Sequence, residues 1–414
     1  MLSSHSSLPH PGRTPSTSSS RLAPARAGLA LLIGALFGAP ANAALSDTIH
    51  PYVGVGYSYD DNLLRQADEA TGPRSDSSRQ LFAGVEFERP IGRQRVTASG
   101  KLTKVSFNRF DELNYDGKDL AATWFWQLGD HLSGSAGATY NQNLASFSDF
   151  RGTERNLRTQ RSEFVDGAWR FHPSWQLRGR QTRDEFRFDL AQQHYLNRNE
   201  DASEAGIDYL APSGSTIGLQ YRRLKGSYPN PLIFEGQVAD QGFTQDELKL
   251  KVFWKVSGIT QLQFLGGRVK RQHTQAQYST RDASGTNGRA IGIWMPSQLI
   301  RVTGQAWREF TPYEGTNATY SLNKGLSVAA QYALTSKITL DGQIKQVKRD
   351  FATVAAGPGG AVQDSSRNLS LGAQYVVRNN IQLGLSVFQD QRDKSSFSTS
   401  YRAKGASLNA NIQF

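Results

Sequence analysis

The chain contains no cysteine at all, only two methionines and seven histidines among 414 residues. Without cysteine there is no disulfide framework, no thiol nucleophile and no thiolate metal site. No run of 18 or more apolar residues occurs, so no transmembrane helix can be built. Catalytic and nucleotide motifs are missing as well: there is no G-x-S-x-G, H-E-x-x-H, P-loop or G-x-G-x-x-G. No catalytic residue, metal site or cofactor is therefore expected. What is plentiful is glycine (39 residues) and aromatic side chains (10%), a profile of many strands joined by tight turns.

The first 43 residues predict an export signal. Arg13, Arg21 and Arg26 are their only charges. An apolar stretch from Ala27 to about Phe37 follows, then Ala41-Asn42-Ala43, an A-x-A site with small residues at both specificity positions. The apolar stretch is too short to cross a bilayer as a helix. The formal net charge of +11 stays basic when those three arginines leave. Nucleic acid is a poor partner for a chain exported in this way.

From Asp47 to Phe414, period-2 alternation dominates, in segments of roughly ten residues. Leu248, Leu250, Val252, Trp254 and Val256 alternate with Glu247, Lys249, Lys251, Phe253 and Lys255. A helix would scatter those lysines around its circumference, whereas a strand places them on one face. The same code recurs from Leu120 to Leu128, Leu326 to Tyr332, Leu369 to Tyr375 and Ile381 to Val387.

Connections alternate in length. Short turns are expected at 129–130, 173–174, 212–214, 257–258, 296–297, 335–336 and 379–380. Long polar segments are expected at 63–78, 109–117, 142–157, 186–200, 227–243, 273–287, 310–320, 351–365 and 391–401. This alternation predicts an all-β fold, a single transmembrane antiparallel barrel of about 18 strands (16–20) over residues 44–414, of the bacterial outer-membrane type. Trp126, Trp169, Trp175, Trp254 and Trp294 fall near short turns, as an interfacial girdle requires. The closing alternation Leu408, Ala410, Ile412, Phe414 reads as the signal recognised by barrel-assembly machinery.

On this parity the lumen presents Arg178, Arg180, Lys249, Lys251, Lys255 and Lys345, with Asp184, Glu247 and Asp341 as partial partners. Two readings stand. One is a ladder of cross-strand ion pairs that stiffens a wet wall; the other is a basic conduit for an anionic polymer, its field focused by low-dielectric walls. Phe125, Phe164, Phe253 and Phe388 share the inward parity and offer faces for sugar rings. Contact of basic loop residues with lipopolysaccharide phosphates is a further alternative. Asp60-Asp61-Asn62 and Asp111, Glu112, Asp116 resemble calcium ligands in type but not in EF-hand spacing. His194 and His273, at the long-loop end, would have to meet for hydrolytic chemistry.

Several long strings resemble the EpsL-type outer-membrane proteins of exopolysaccharide operons, associated with exosortase systems. They begin with PYVGVGYSYDDNLLR from Pro51. Further on are YDGKDLAATWFWQLGDHLSG from Tyr115, ERNLRTQRSEFVDGAWRFHPSWQLR from Glu154 and YLAPSGSTIGLQYRRLKG from Tyr209. DELKLKVFWKVSG from Asp246 and the closing GASLNANIQF complete the set. The resemblance implies an outer-membrane barrel that helps move a cell-surface polysaccharide. Exopolysaccharide, periplasmic export or synthesis proteins, and outer-membrane lipid with lipopolysaccharide would be its partners. It transfers no catalytic residue. The expectation is a passive polysaccharide conduit, with a general or substrate-specific diffusion porin as the alternative and a barrel hydrolase behind both.

Overall fold

A computed structural model describes residues 48–148, 152–234, 237–275, 282–312, 318–353, 362–393 and 400–414. The expected signal segment, 1–43, lies outside the described residues. Nine strands form the first half of the wall: β1 (Ile49–Asp60), β2 (Asp76–Ile91), β3 (Gln94–Phe107), β4 (Tyr115–Leu128), β5 (Leu132–Leu144), β6 (Leu157–His172), β7 (Trp175–Phe188), β8 (Arg198–Leu210) and β9 (Thr216–Ser227). A small hairpin, β10 (Leu232–Phe234) and β11 (Gln237–Ala239), sits inside a long loop. The wall resumes with β12 (Phe243–Lys255), β13 (Thr260–His273), β14 (Ala283–Ser297), β15 (Ile300–Pro312) and β16 (Ala318–Ala333). It ends with β17 (Ile338–Thr353), β18 (Val362–Arg378), β19 (Ile381–Arg392) and β20 (Tyr401–Gln413).

Each wall strand pairs antiparallel with its chain neighbour, β9 pairs with β12, and β1 pairs with β20 from Tyr52↔Gln413 to Asp60↔Gly405. That last pairing closes an 18-stranded barrel with no free edge. Closure is obligatory in lipid, where an unpaired backbone N–H or C=O has no water to turn to.

Side-chain parity follows the sequence. Leu248, Leu326 and Leu371 are more than half exposed on the outside, while Glu247, Lys251 and Phe253 of the intervening positions are buried within. A soluble fold would hide the first set; a lipid-facing wall displays it. Trp124, Trp169, Trp175, Trp254 and Trp294 form an outward girdle toward the short turns. Trp126 lies across Gly134, where a side chain would collide with the indole. Trp307 departs from the girdle: it points inward, between Arg289 and Lys345.

The strand ends that bound the nine long connections fall where polarity placed them. The short ones number eight rather than seven among the described residues, because Gly92-Arg93 turns β2 into β3 with Gly92 at φ 59°. That turn escapes a reading based on polarity since Pro90 and Ile91 continue the alternation up to it. The turn expected at 296–297 lies two residues later, at 298–299, because β14 runs on through Pro296 and Ser297 with a register shift. At the seam, Leu408, Ala410 and Ile412 keep the outward parity of β20, and Phe414 follows its end, half exposed.

Parity predicts opposite tolerance at adjacent positions. Leu371→Arg, at the middle of an outward row, should destabilise the barrel by about 2–4 kcal/mol in reversible unfolding from lipid. Ser370→Lys, facing the lumen one residue away, should leave the unfolding free energy nearly unchanged.

Candidate functional site

The inward wall from β6 to β13 carries the densest chemistry in the molecule, and strand register explains its arrangement. Asp166 lies directly opposite Arg180, Arg180 opposite Glu204, Glu204 opposite Arg222, and Arg222 opposite Glu247. Five strands thus contribute one residue each to a row of strictly alternating sign. Opposite charges facing one another across strands stabilise the sheet, and like charges would strain it. The contacts follow the row: Arg180 Nη1 to Asp166 Oδ2 is 3.2 Å, Arg222 Nε to Glu204 Oε1 is 3.1 Å and Arg222 Nη1 to Glu247 Oε1 is 3.3 Å.

A second centre lies nearer the short turns. Arg178 Nε donates to Asp208 Oδ2 at 2.7 Å, Gln176 Nε2 donates to the same oxygen at 3.0 Å, and Lys251 Nζ is 3.6 Å from it. Arg178 Nη1 also donates to Gln220 Oε1 at 3.0 Å, and Gln220 Nε2 donates to Glu204 Oε2 at 3.0 Å, which joins the two centres. Lys249 pairs with Glu247, and Gln245 and Asn287 donate to the same carboxylate. The Asp208 and Glu247 side chains are each about 1% exposed. Such buried carboxylates persist only with cations and donors around them. All of these residues except Asp166, Gln176 and Asp208 border a lumenal cavity of about 170 Å³ that extends toward β15.

All of the expected lumen residues face inward, but they do not form one basic surface. Arg178, Arg180, Lys249 and Lys251 are drawn together, each on a carboxylate. Lys255 stands apart at the short-turn mouth, its side chain against Gly214 and its backbone N–H donating to Ser215 Oγ at 3.1 Å. Lys345 and Asp341 belong to the far wall on β17, where Lys345 Nζ is 5.6 Å from the Trp307 ring centre. Phe253 is buried on the inward face of β12. The free aromatic faces anticipated for sugar rings are largely taken. Arg180 stacks on Phe164 at 4.4 Å, Arg95 on Phe125 at 4.5 Å, and Arg65 lies 5.9 Å from Phe388.

The acidic motif Asp60-Asp61-Asn62 has structural work. Asp60 pairs with Arg65 at 2.8 Å, Asp61 accepts from the Lys404 N–H at 2.6 Å, and Asn62 donates to the Arg402 carbonyl at 2.9 Å. The motif thereby fastens the first long loop to β20 at the seam. Asp111 and Glu112 are exposed in a short 3₁₀ turn. His194 lies in the loop before β8 and His273 at the end of β13, so three wall strands separate them. His273 stands 3.4 Å from Asp282 and stacks on Tyr320.

One feature of the lumen is absent from the sequence-based expectations. The loop after β5 turns into the barrel: Arg392 donates to the Ser148 carbonyl, and Ser148 Oγ lies 3.4 Å from Tyr401 Oη. Arg392 and Tyr401 are both buried on the inner face of β19 and β20. Tyr401 donates to Asp390 at 3.1 Å, and Arg65 reaches that carboxylate at 3.4 Å. Phe147 packs on a small apolar core of Leu64, Phe110 and Leu113 above β1 to β4. These contacts hold the described part of the loop against the inner faces of β19 and β20 and the apolar core above β1 to β4.

The pairing sets the sign of two mutational outcomes. Asp208→Asn leaves Arg178 and Lys251 without their carboxylate and should cost about 3–5 kcal/mol of stability, while the reversal potential in planar bilayers moves toward anions. Replacing Arg178, Arg180, Lys249 and Lys251 together by Gln exposes Asp166, Asp208 and Glu247, and should move it toward cations.

Residues 255–414 match the family described as "Putative beta-barrel porin 2". No curated protein matches the chain by sequence. Among solved structures the chain is similar to the outer-membrane protein OpdK of Pseudomonas aeruginosa, with 12% identity and a TM-score of 0.47 over 88% of this chain and 99% of that one. It is also similar to OccAB3 of Acinetobacter baumannii, with 9% identity and a TM-score of 0.47 over 89% and 99%. OccK2 (OpdF) of Pseudomonas aeruginosa, solved in complex with glucuronate, gives 9% identity and a TM-score of 0.49 over 89% and 98%.

Proposed function

We propose that this barrel is a passive outer-membrane diffusion channel for small hydrogen-bonding solutes. The observation that carries this reading is the in-turned loop after β5, tied through Ser148 to Arg392 and Tyr401 on the inner wall. A loop fixed inside a barrel reduces the cross-section at one level. What remains is bordered by side chains already paired with one another. A hydrated polysaccharide needs a wide bore along its whole length, and a small solute needs only one fitting constriction. The diffusion-porin alternative is therefore better supported than the expected polysaccharide conduit, and the family match to β-barrel porins over the last eight strands agrees with it.

The wall suits such a task. Rows of alternating charge present both donors and acceptors, so a polar solute exchanges water contacts for protein contacts without meeting a single dominant sign. Paired charges also bind weakly enough to let go, which throughput requires.

The reading predicts size-limited permeation. Purified protein in liposomes should admit monosaccharides and amino acids and exclude oligosaccharides of several units in swelling assays. Arg392→Ala combined with Tyr401→Phe should release the loop, raise single-channel conductance and widen the size limit. A deletion strain should keep its surface polysaccharide. Loss of that polymer from the surface, with its build-up in the periplasm, would restore the conduit reading.

A further inference from the structure

Among the described residues, a row of like charges crosses the outside of the barrel. Register places Arg308 of β15 opposite Lys324 of β16, and Lys324 opposite Lys348 of β17. All three have the outward parity of Ala306, Leu326 and Ile344. Like charges directly opposite destabilise a sheet, so such a row calls for a counter-charge. Among the described residues on this outward sector, Asp350 is the one carboxylate, and it stands 2.7 Å from Lys324. Arg367 on β18 and Arg268 on β13 extend the basic edge on either side.

Below this row the surface is hollow. Gly288, Ala290 and Ala306 leave a groove of about 580 Å³, walled by Phe264 and Leu326 and reaching up to the three cations. From Tyr332 near the short turns to Lys324, eight residues of β16 inclined at roughly 40° rise about 20 Å. The cations therefore sit near the outer rim of an apolar belt about 25 Å tall. On β9 and β12 the outward Arg223 is instead paired, with Asp246 at 2.7 Å.

We infer that this groove holds a phosphorylated, acylated glycolipid of the outer leaflet, with an acyl chain against Phe264, Ala290 and Ala306 and its phosphate on Arg308, Lys324 and Lys348. Apolar groove and basic rim are stacked in the order in which such a lipid stacks chain and headgroup. Basic residues beside a membrane surface draw anionic headgroups in this way, and arginine and lysine donate to phosphate oxygens in charge-assisted hydrogen bonds. The inference is independent of what passes through the lumen.

The test is retention of bis-phosphorylated lipid A in nanodiscs, measured by native mass spectrometry against the dephosphorylated lipid. The wild type should hold the phosphorylated form preferentially. Arg308→Gln, Lys324→Gln and Lys348→Gln together should lower retention by at least about tenfold. Arg79→Gln, Lys104→Gln and Lys118→Gln, which remove as many outward cations from β2 to β4, should leave it unchanged. Heat-modifiable gel mobility checks that both variants fold. Should the first variant fail to fold, release of the phosphorylated lipid from wild type by high salt, with the dephosphorylated lipid unaffected, reads the same contact. Equal retention of the two lipids, or equal loss in the two variants, would overturn the assignment. So would cross-linking between copies through Ala306→Cys, which would give the groove to a second barrel.

Discussion

The structure rests on a requirement of the bilayer: every backbone donor and acceptor within it has to be satisfied by the protein itself. In this chain the requirement is met only when β1 finds β20, the two wall strands farthest apart in sequence. The seam is correspondingly reinforced. Asp61 and Asn62 bond to the backbone of Lys404 and Arg402, and Arg65 joins Asp60 to Asp390. Outside the strands, burial disfavours the charge on Arg65, but the Asp60 carboxylate more than offsets it and lifts the guanidinium above its usual range. The conspicuous PYVGVGYSYDDNLLR segment is thus the clasp of the barrel. Closure then fixes the two faces of every strand, and with them the position of each charge.

The fold was legible because period-2 alternation is a local property. Any ten-residue window, such as that around Leu248 to Val256, reports its own inward and outward faces, and polar runs report the loops. Inward parity of Arg178, Arg180, Lys249 and Lys251 was readable for the same reason. Of their partners only Glu247, which pairs with Lys249, was. Asp208 and Glu204 meet Arg178 and Arg222 only through the register of β7, β8 and β9, and register depends on turn geometry that composition does not encode. An excess of inward cations on three strands therefore looked like a basic conduit, whereas β6 and β8 supply Asp166, Glu204 and Asp208 and β12 itself supplies Glu247.

The in-turned loop shows the same limit more sharply. Ser146, Phe147 and Ser148 have the composition of any surface loop. Their position inside the barrel depends on Arg392 and Tyr401, some 250 residues later in the chain. Nothing short of the closed fold brings those residues within reach. The parity of β19 and β20 marks Arg392 and Tyr401 as inward, which is the one hint available beforehand.

The fate of the net positive charge ties these points together. A basic sequence that forms a channel invites the inference that the channel is basic. Yet the lumenal rows alternate in sign across Asp166, Arg180, Glu204, Arg222 and Glu247, so their cations are answered strand by strand. Arg308, Lys324 and Lys348 stand in one row with no carboxylate between them, on the surface that meets lipid headgroups. Pairing inside and surplus outside follow from different surroundings. A buried charge without a partner is strongly penalised, while one at the membrane rim has water and anionic headgroups to answer it. The surplus collects where solvation is cheapest, so overall charge in a barrel of this kind describes its environment before it describes its cargo.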